Sequence, residues 1–228
     1  MNRREILGVA AGAGALAALA GAAAAGSNIL PRREKVRVAF MLGDSTNVID
    51  TAGPWEVFQD TSVTEGGRER NPFELYTVAP TSELVRMTGG LKLKPDYGVA
   101  DAPQPHVIVV PAQRSTEASR EWLKRASAGA DLTMSVCTGA FQLARVGLLD
   151  GLAATTHHEF WDSFAEKHPN IELRRGARFV DSGRIATAGG LTSGIDLALH
   201  VVARYFGEDT AAATARYMEH ASDAWRTA

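Results

Sequence analysis

Leu132-Thr133-Met134-Ser135-Val136-Cys137-Thr138-Gly139-Ala140 joins an apolar, strand-like run to a helix-like one. A small residue after the cysteine permits a sharp strand-to-helix turn, the geometry that presents a nucleophile at the top of an α/β sheet. Cys137 is the only cysteine of the chain, so neither an internal disulfide nor a Cys-x-x-Cys pair exists. At such a turn the sulfur faces the first unbonded N–H groups of a helix, which favours a thiolate. A second reading stays open: a lone buried cysteine often serves as a small hydrophobe.

Working outward, Val36, Val38 and Phe40 alternate in a first strand, and Gly53-Pro54 opens a helix with proline in its first turn. Residues 61–72 read as a polar loop, Phe73 to Ala79 as a strand, and Val85 to Lys94 as a hairpin arm broken by Gly89-Gly90. Val107-Ile108-Val109-Val110 is a continuous β-branched run, as in a parallel strand buried on both faces. Helices are expected over Glu117 to Ala128, from Phe141 to Leu148, over His158 to His168, from Leu191 to Phe206 and over Ala211 to His220. Asp181-Ser182-Gly183 is expected to turn a hairpin. Strands alternating with helices imply one α/β domain, a three-layer sandwich with a mainly parallel sheet, helices on both faces and a nucleophile elbow. Ligands bind such sheets at the carboxyl ends of strands. Cys137, Pro111-Ala112-Gln113 and Asp50 all fall near such ends, so three segments converge on one expected crevice.

The N-terminus reads differently. Arg3-Arg4 begins a twin-arginine pattern, and a weakly apolar Ala/Gly run follows from Gly8 to Gly26. Residues 1–26 are therefore expected to be a twin-arginine export signal, with 27–34 a linker and 35–228 the domain. The expected destination is the periplasm or another extracytoplasmic space, with no stable membrane anchor after cleavage. The 228-residue chain carries a formal charge of −2. Its charges are interspersed, without the basic block of a nucleic-acid or polybasic membrane binder. The expected partner is a small-molecule substrate, with no nucleic acid.

Asp50 lies in Val48-Ile49-Asp50-Thr51-Ala52-Gly53-Pro54. It is suited to helix capping, or to proton exchange with a substrate beside the thiol, where burial would raise its pKa. His157 and His158 follow a strand end and either could approach the crevice, but adjacent residues do not share a face as a metal pair. No HExxH or Cys-His metal pattern, phosphate loop or dinucleotide fingerprint is present. No metal and no cofactor is expected. Trp55, Trp122 and Trp161 read as core or pocket wall. Trp55, Val57 and Phe58 give one short helix more apolar bulk than one face need bury, which suggests an interface.

Several motifs occur in order: Asp50-x-x-Gly53-Pro54-x-Glu56-Val57-Phe58, the Val107-to-Pro111 strand, Ser135-Val136-Cys137-Thr138-Gly139, Ala154-Thr155-Thr156-His157 and Gly189-Gly190-x-x-Ser193-Gly194-Ile195-Asp196. Over about residues 36–220 the set resembles the ThiJ/PfpI superfamily of the class-I glutamine-amidotransferase-like fold, and within it the isonitrile hydratase branch. The resemblance implies Cys137 as nucleophile, Asp50 as its acid–base partner and Thr138 as a third catalytic residue. It also implies a homodimer. Related protease-like and glyoxalase-like branches place Glu where Asp50 stands, and PfpI-type members place His where Thr138 stands. The branch looks like the ligand-binding half of regulators with a C-terminal helix-turn-helix, for which no room is expected after Ala228. One departure concerns the family's Pro-Gly-Gly after the central strand, which is Pro111-Ala112-Gln113 here. It keeps the N–H groups but adds side chains that restrict φ and fill space near the sulfur.

The activity so implied is hydration of an isonitrile to an N-substituted formamide. Ala112, Gln113, His157 and Trp55 are expected to contact substrate. Two other readings remain: a small-ligand or redox sensor in which Gln113 plugs the crevice, and a glyoxalase/deglycase-like or amidase-like cysteine enzyme.

Overall fold

The structure, a computed structural model, describes residues 30–227. In chain order the elements are β1 (Val36–Met41), α1 (Val48–Asp60), β2 (Val63–Glu65), β3 (Arg68–Arg70), β4 (Phe73–Ala79), β5 (Val85–Arg86), β6 (Lys92–Leu93), β7 (Tyr97–Gly98), β8 (Val107–Val110) and α2 (Glu117–Ala128). There follow β9 (Leu132–Ser135), α3 (Ala140–Arg145), β10 (Ala153–Ala154), α4 (Trp161–Lys167), β11 (Glu172–Leu173), β12 (Phe179–Asp181), β13 (Ile185–Ala188), α5 (Ser193–Phe206) and α6 (Glu208–Tyr217).

Seven strands form one sheet in the order β12-β13-β9-β8-β1-β4-β7. All its pairings are parallel except the edge hairpin β12–β13. Alternation along the strands builds two cores. Val36, Val38, Phe40, Val107, Val109 and Met134 face α1, α5 and α6. Ala39, Met41, Ile108 and Val110 face Trp122 and Leu123 of α2, Leu143 of α3 and Phe164 of α4. Every residue of β8 is fully buried, as its β-branched run predicts, and each such side chain contributes about 1.5–3 kcal/mol of burial. The three-layer α/β sandwich is therefore the observed fold.

Helix starts follow side-chain caps. Thr116 accepts the Ser119 N–H at 3.1 Å and the Ser119 hydroxyl accepts the Thr116 N–H at 2.9 Å, a reciprocal pair that opens α2. At α1 the Asn47 side chain accepts from Ile49 and Asp50 N–H at 3.1 and 3.4 Å. That cap starts the helix at Val48, six residues before Pro54, so Pro54 is interior and not in the first turn as expected. Gly53 lets α5 approach closely, since a Cβ there would meet Ile195 at 2.9 Å.

Three other expectations change. Residues 61–72 contain the β2–β3 hairpin, because Gly66 and Gly67 both take positive φ (59° and 79°), as a tight two-residue hairpin turn requires. The helix expected through Leu148 ends at Arg145, where Gly147 (φ 78°) reverses the chain and Leu148 N–H bonds the Leu143 carbonyl at 3.0 Å. The described part of the expected linker, residues 30–34, packs on the domain: Leu30 is buried, its N–H bonds the Arg204 carbonyl at 3.0 Å, and Arg33 forks onto Asp131 at 2.6 Å. Residues 1–26, the expected export signal, lie outside the described residues.

Candidate active site

The elbow closes where β9 meets the helical layer. Val136 is still extended, and Cys137 then takes φ 59°, in the left-handed region. A tight helical turn over Cys137–Gly139 leads into α3. Such a conformation costs a non-glycine residue on the order of 1–3 kcal/mol and persists where neighbours fix it. Here the Cys137 N–H donates to the Gly189 carbonyl at 2.7 Å, and its carbonyl accepts the Thr156 hydroxyl at 2.9 Å. Gly139 is required by space: a Cβ there would lie 2.0 Å from the Val110 carbonyl oxygen. The glycine buys the close approach to β8, while the strained φ falls on the cysteine itself.

Asp50 sits in the first turn of α1 with no exposed surface. It does not cap the helix, since Asn47 does that. Its Oδ2 accepts the Ala112 N–H at 3.1 Å, across from the end of β8, and its Oδ1 is buried without a hydrogen-bond partner. Burial pushes the carboxyl up to about 6, against the pull of the Ala112 and Leu191 N–H groups. The Cys137 thiol is pushed up to about 11, first by burial and then by the Asp50 charge; the Thr138 N–H and hydroxyl and the Leu191 N–H pull the other way. The N–H pull toward a thiolate expected at the elbow is thus present but outweighed by burial and by Asp50. The helix after the elbow has only six residues, and a buried sulfur beside a carboxylate holds its proton. Burial and the Asp50 charge both favour a protonated thiol.

Beside the elbow, Thr138 and Gln113 line an open crevice of about 530 Å³. The Gln113 side chain does not plug it: Nε2 donates to the Met41 carbonyl at 2.8 Å and Oε1 accepts the Thr46 hydroxyl at 3.1 Å. Gln142 Nε2 holds the Gln113 carbonyl at 2.9 Å. Among the described residues the Gln113 N–H has no partner, whereas the Ala112 N–H is committed to Asp50.

His157 lies in a second crevice with Trp161, Arg178 and Gly189–Ser193. Its Nδ1 accepts the Glu159 N–H at 3.3 Å, and its ring covers Gly190 so closely that a Cβ there would meet Cδ2 at 2.1 Å. Its ring stacks on His158 with centroids 4.5 Å apart, brought there by the tight turn at His158–Phe160. Among the described residues no group of three or more His, Cys, Asp or Glu side chains gathers as metal ligands would. Trp55 lines neither crevice: its ring lies 4.9 Å from Phe40, against the core. Val57 and Phe58 are fully buried, which removes the surface argument for an interface on α1. Leu191 was not anticipated. Its φ of 52° aims its N–H at the Cys137–Asp50 pair, and the signal was Gly189-Gly190 before a helix, read only for phosphate binding.

Residues 36–204 match the DJ-1/PfpI family. An isonitrile hydratase of Pseudomonas putida is 29% identical over 193 residues, covering 82% of this chain and 79% of that protein. The HTH-type transcriptional regulator GbdR of Pseudomonas aeruginosa is 28% identical over 186 residues, 79% of this chain. The chain spans about half that regulator's length, 50%. A THiJ/PfpI family protein from Pseudomonas syringae superposes with a TM-score of 0.73 at 23% identity, over 85% of this chain and 78% of that one. Drosophila melanogaster DJ-1beta superposes at 0.68 and 15% identity, over 82% of this chain and all of that one (100%). Regulators of transcription thus share this domain, and the expectation that nucleic acid plays no part gains no support from them. With the elbow, the parallel sheet and the family match in agreement, the chain belongs to the DJ-1/PfpI family.

Proposed function

We propose that the chain is a cysteine-dependent hydratase that converts an isonitrile to an N-substituted formamide. The observation that carries this is the Cys137–Asp50 pair: a buried elbow thiol beside a buried carboxyl whose Oδ1 makes no hydrogen bond. The elbow cysteine and the similarity to an isonitrile hydratase support the same reading.

As the sulfur attacks the terminal isonitrile carbon, Asp50 takes the thiol proton and passes it to that carbon, leaving a thioimidate. Water then adds to the same carbon, with Asp50 taking one water proton and returning it to nitrogen. Collapse of the adduct breaks the C–S bond, releases the formamide and moves the remaining hydroxyl proton to sulfur. The net change is the addition of one water. The unpartnered Gln113 N–H and the Thr138 N–H and hydroxyl orient the reacting group. Cys137→Ser and Asp50→Asn should each reduce isonitrile turnover at least a hundredfold; wild-type rates in either would end this mechanism.

A ligand sensor is the second reading, favoured by the match to transcriptional regulators. Tight binding of an isonitrile without formamide release would select it. We also place the protein outside the cytoplasm, on the strength of Arg3-Arg4 and the Ala/Gly run, and as a homodimer on the family resemblance. A monomer mass by light scattering at all concentrations would contradict the pairing.

A further inference from the structure

The crevice beside Thr138 and Gln113 carries a chemical signature that the hydration chemistry does not use. Its walls include Arg114, Arg145 and Lys167 and the rings of Phe141 and Phe160, and no acidic residue. The three cations belong to separate segments: the loop after β8, the last turn of α3 and the end of α4. None makes an ion pair among the described residues. Arg145 and the neighbouring Arg120 both donate to the Ser115 hydroxyl at 3.1 Å, which gathers their guanidinium groups on one side of the crevice. Lys167 Nζ stands 5.8 Å from the centroid of the Phe141 ring.

The positive potential is felt locally. His168 has its pKa lowered by burial and by the charges of Arg145 and Lys167, with Asp150 opposing. Like charges brought together without counter-ions repel, and a cluster of this kind gains from an anion placed among them. The aromatic wall keeps one open ring: Phe141 packs on Phe164 and His168, while Phe160 stays exposed. Phe160 is 41% exposed and meets Phe141 edge-on at 6.4 Å. An apolar face beside convergent charged groups is the usual form of a small-molecule site.

We propose that this crevice selects a carboxylate-bearing substrate, with the anion held by Arg114, Arg145 and Lys167 and an apolar or aromatic body against Phe141 and Phe160. Thr138, the residue next to Cys137, and Gln113 line the same crevice, so in this arrangement the reacting group of such a molecule lies at their end and its anion among the cations. The substrate class is then an isonitrile with a carboxylate at the opposite end of a flat apolar body, a specificity that rests on the hydratase reading. The anion site itself does not.

The test compares 4-isocyanobenzoate with its methyl ester, using the whole protein at low and high salt. Wild type should prefer the acid in kcat/KM by about tenfold or more, with the preference shrinking as salt screens the site. Arg114→Gln combined with Lys167→Gln should lower the acid-over-ester ratio about tenfold. Equal ratios in wild type and double variant would overturn the proposal while leaving hydration intact. If neither isonitrile turns over, the hydratase reading fails and calorimetry with benzoate on Cys137→Ala decides the anion site alone. Binding that weakens about tenfold in the double variant supports it; no binding, or binding insensitive to the substitutions, overturns it.

Discussion

Asp50→Asn should gain stability over wild type as pH rises out of the acidic range. Asp50 has no exposed surface, and its folded-state pKa is about 6 against an ordinary value of 3.8. A raised carboxyl pKa means the native state disfavours the charge. The cost is absent below about pH 3.8, grows as pH rises toward 6 and is fully present above it. The difference of roughly two units corresponds to about 3 kcal/mol at pH 8, at about 1.4 kcal/mol per unit. Asparagine keeps an oxygen for the Ala112 N–H and removes the charge. Its buried NH2, which finds no acceptor in place of Oδ1, costs about 1–3 kcal/mol at every pH, so the pH-dependent part of the difference is the diagnostic one. For a domain of this size a gain of 3 kcal/mol raises Tm by about 6–12 °C. Thermal unfolding of both proteins at pH 8 and pH 4 measures this: the difference, variant minus wild type, should be clearly more positive at pH 8 than at pH 4. A difference that is the same at pH 8 and pH 4 would refute the reasoning that burial strains this carboxylate. The expected gain fits the general pattern in which an active site is held at a cost to stability.

Gly139→Ala should collapse the elbow, since its Cβ would enter to 2.0 Å from the Val110 oxygen; expect a loss of more than about 3 kcal/mol in urea unfolding, and a wild-type midpoint would count against the described packing. Alkylation of Cys137 by iodoacetamide should be slow at pH 7, where a thiol titrating near 11 is about one part in ten thousand ionised, and should climb to high pH; a plateau already reached at pH 8 would show that the thiolate is favoured after all. Mass spectrometry of protein from the native host's periplasm should find a start between about residues 24 and 30; only full-length chain in the cytosol would contradict export.

The sheet was legible because its strands announce themselves. Val107 to Val110 is β-branched throughout and reads as doubly buried; Asp181-Ser182-Gly183 reads as a turn and joins β12 to β13. Boundaries were harder where a tertiary partner or a cap decides. Pro54 suggested a helix start, but the Asn47 side chain sets it six residues earlier. The elbow cysteine was marked by its position after an apolar run, whereas position left Asp50 open between a helix cap and a proton carrier, and only the family resemblance paired it with Cys137. Their protonation was not legible, because burial of Cys137 and Asp50 arises from α1, β9 and α5 meeting across long sequence separations. For the same reason Gln113 looked free to fill the crevice, when the carbonyl of Met41 and the hydroxyl of Thr46 fix it. Trp55 looked available to substrate, when Phe40 on the adjacent strand holds its ring. Cations such as Arg114, Arg145 and Lys167 carry no periodic signal, and only the fold shows that they share a wall.

The most direct test of the central claim is quantitative carbon-13 NMR of an isonitrile labelled at its terminal carbon, incubated with wild type, Cys137→Ser and Asp50→Asn. The account predicts that wild type alone accumulates the labelled N-formyl product, with one proton on the labelled carbon, and that each substitution cuts the rate by at least about a hundredfold. Formamide released at the wild-type rate by either variant, or none released by wild type, would contradict it.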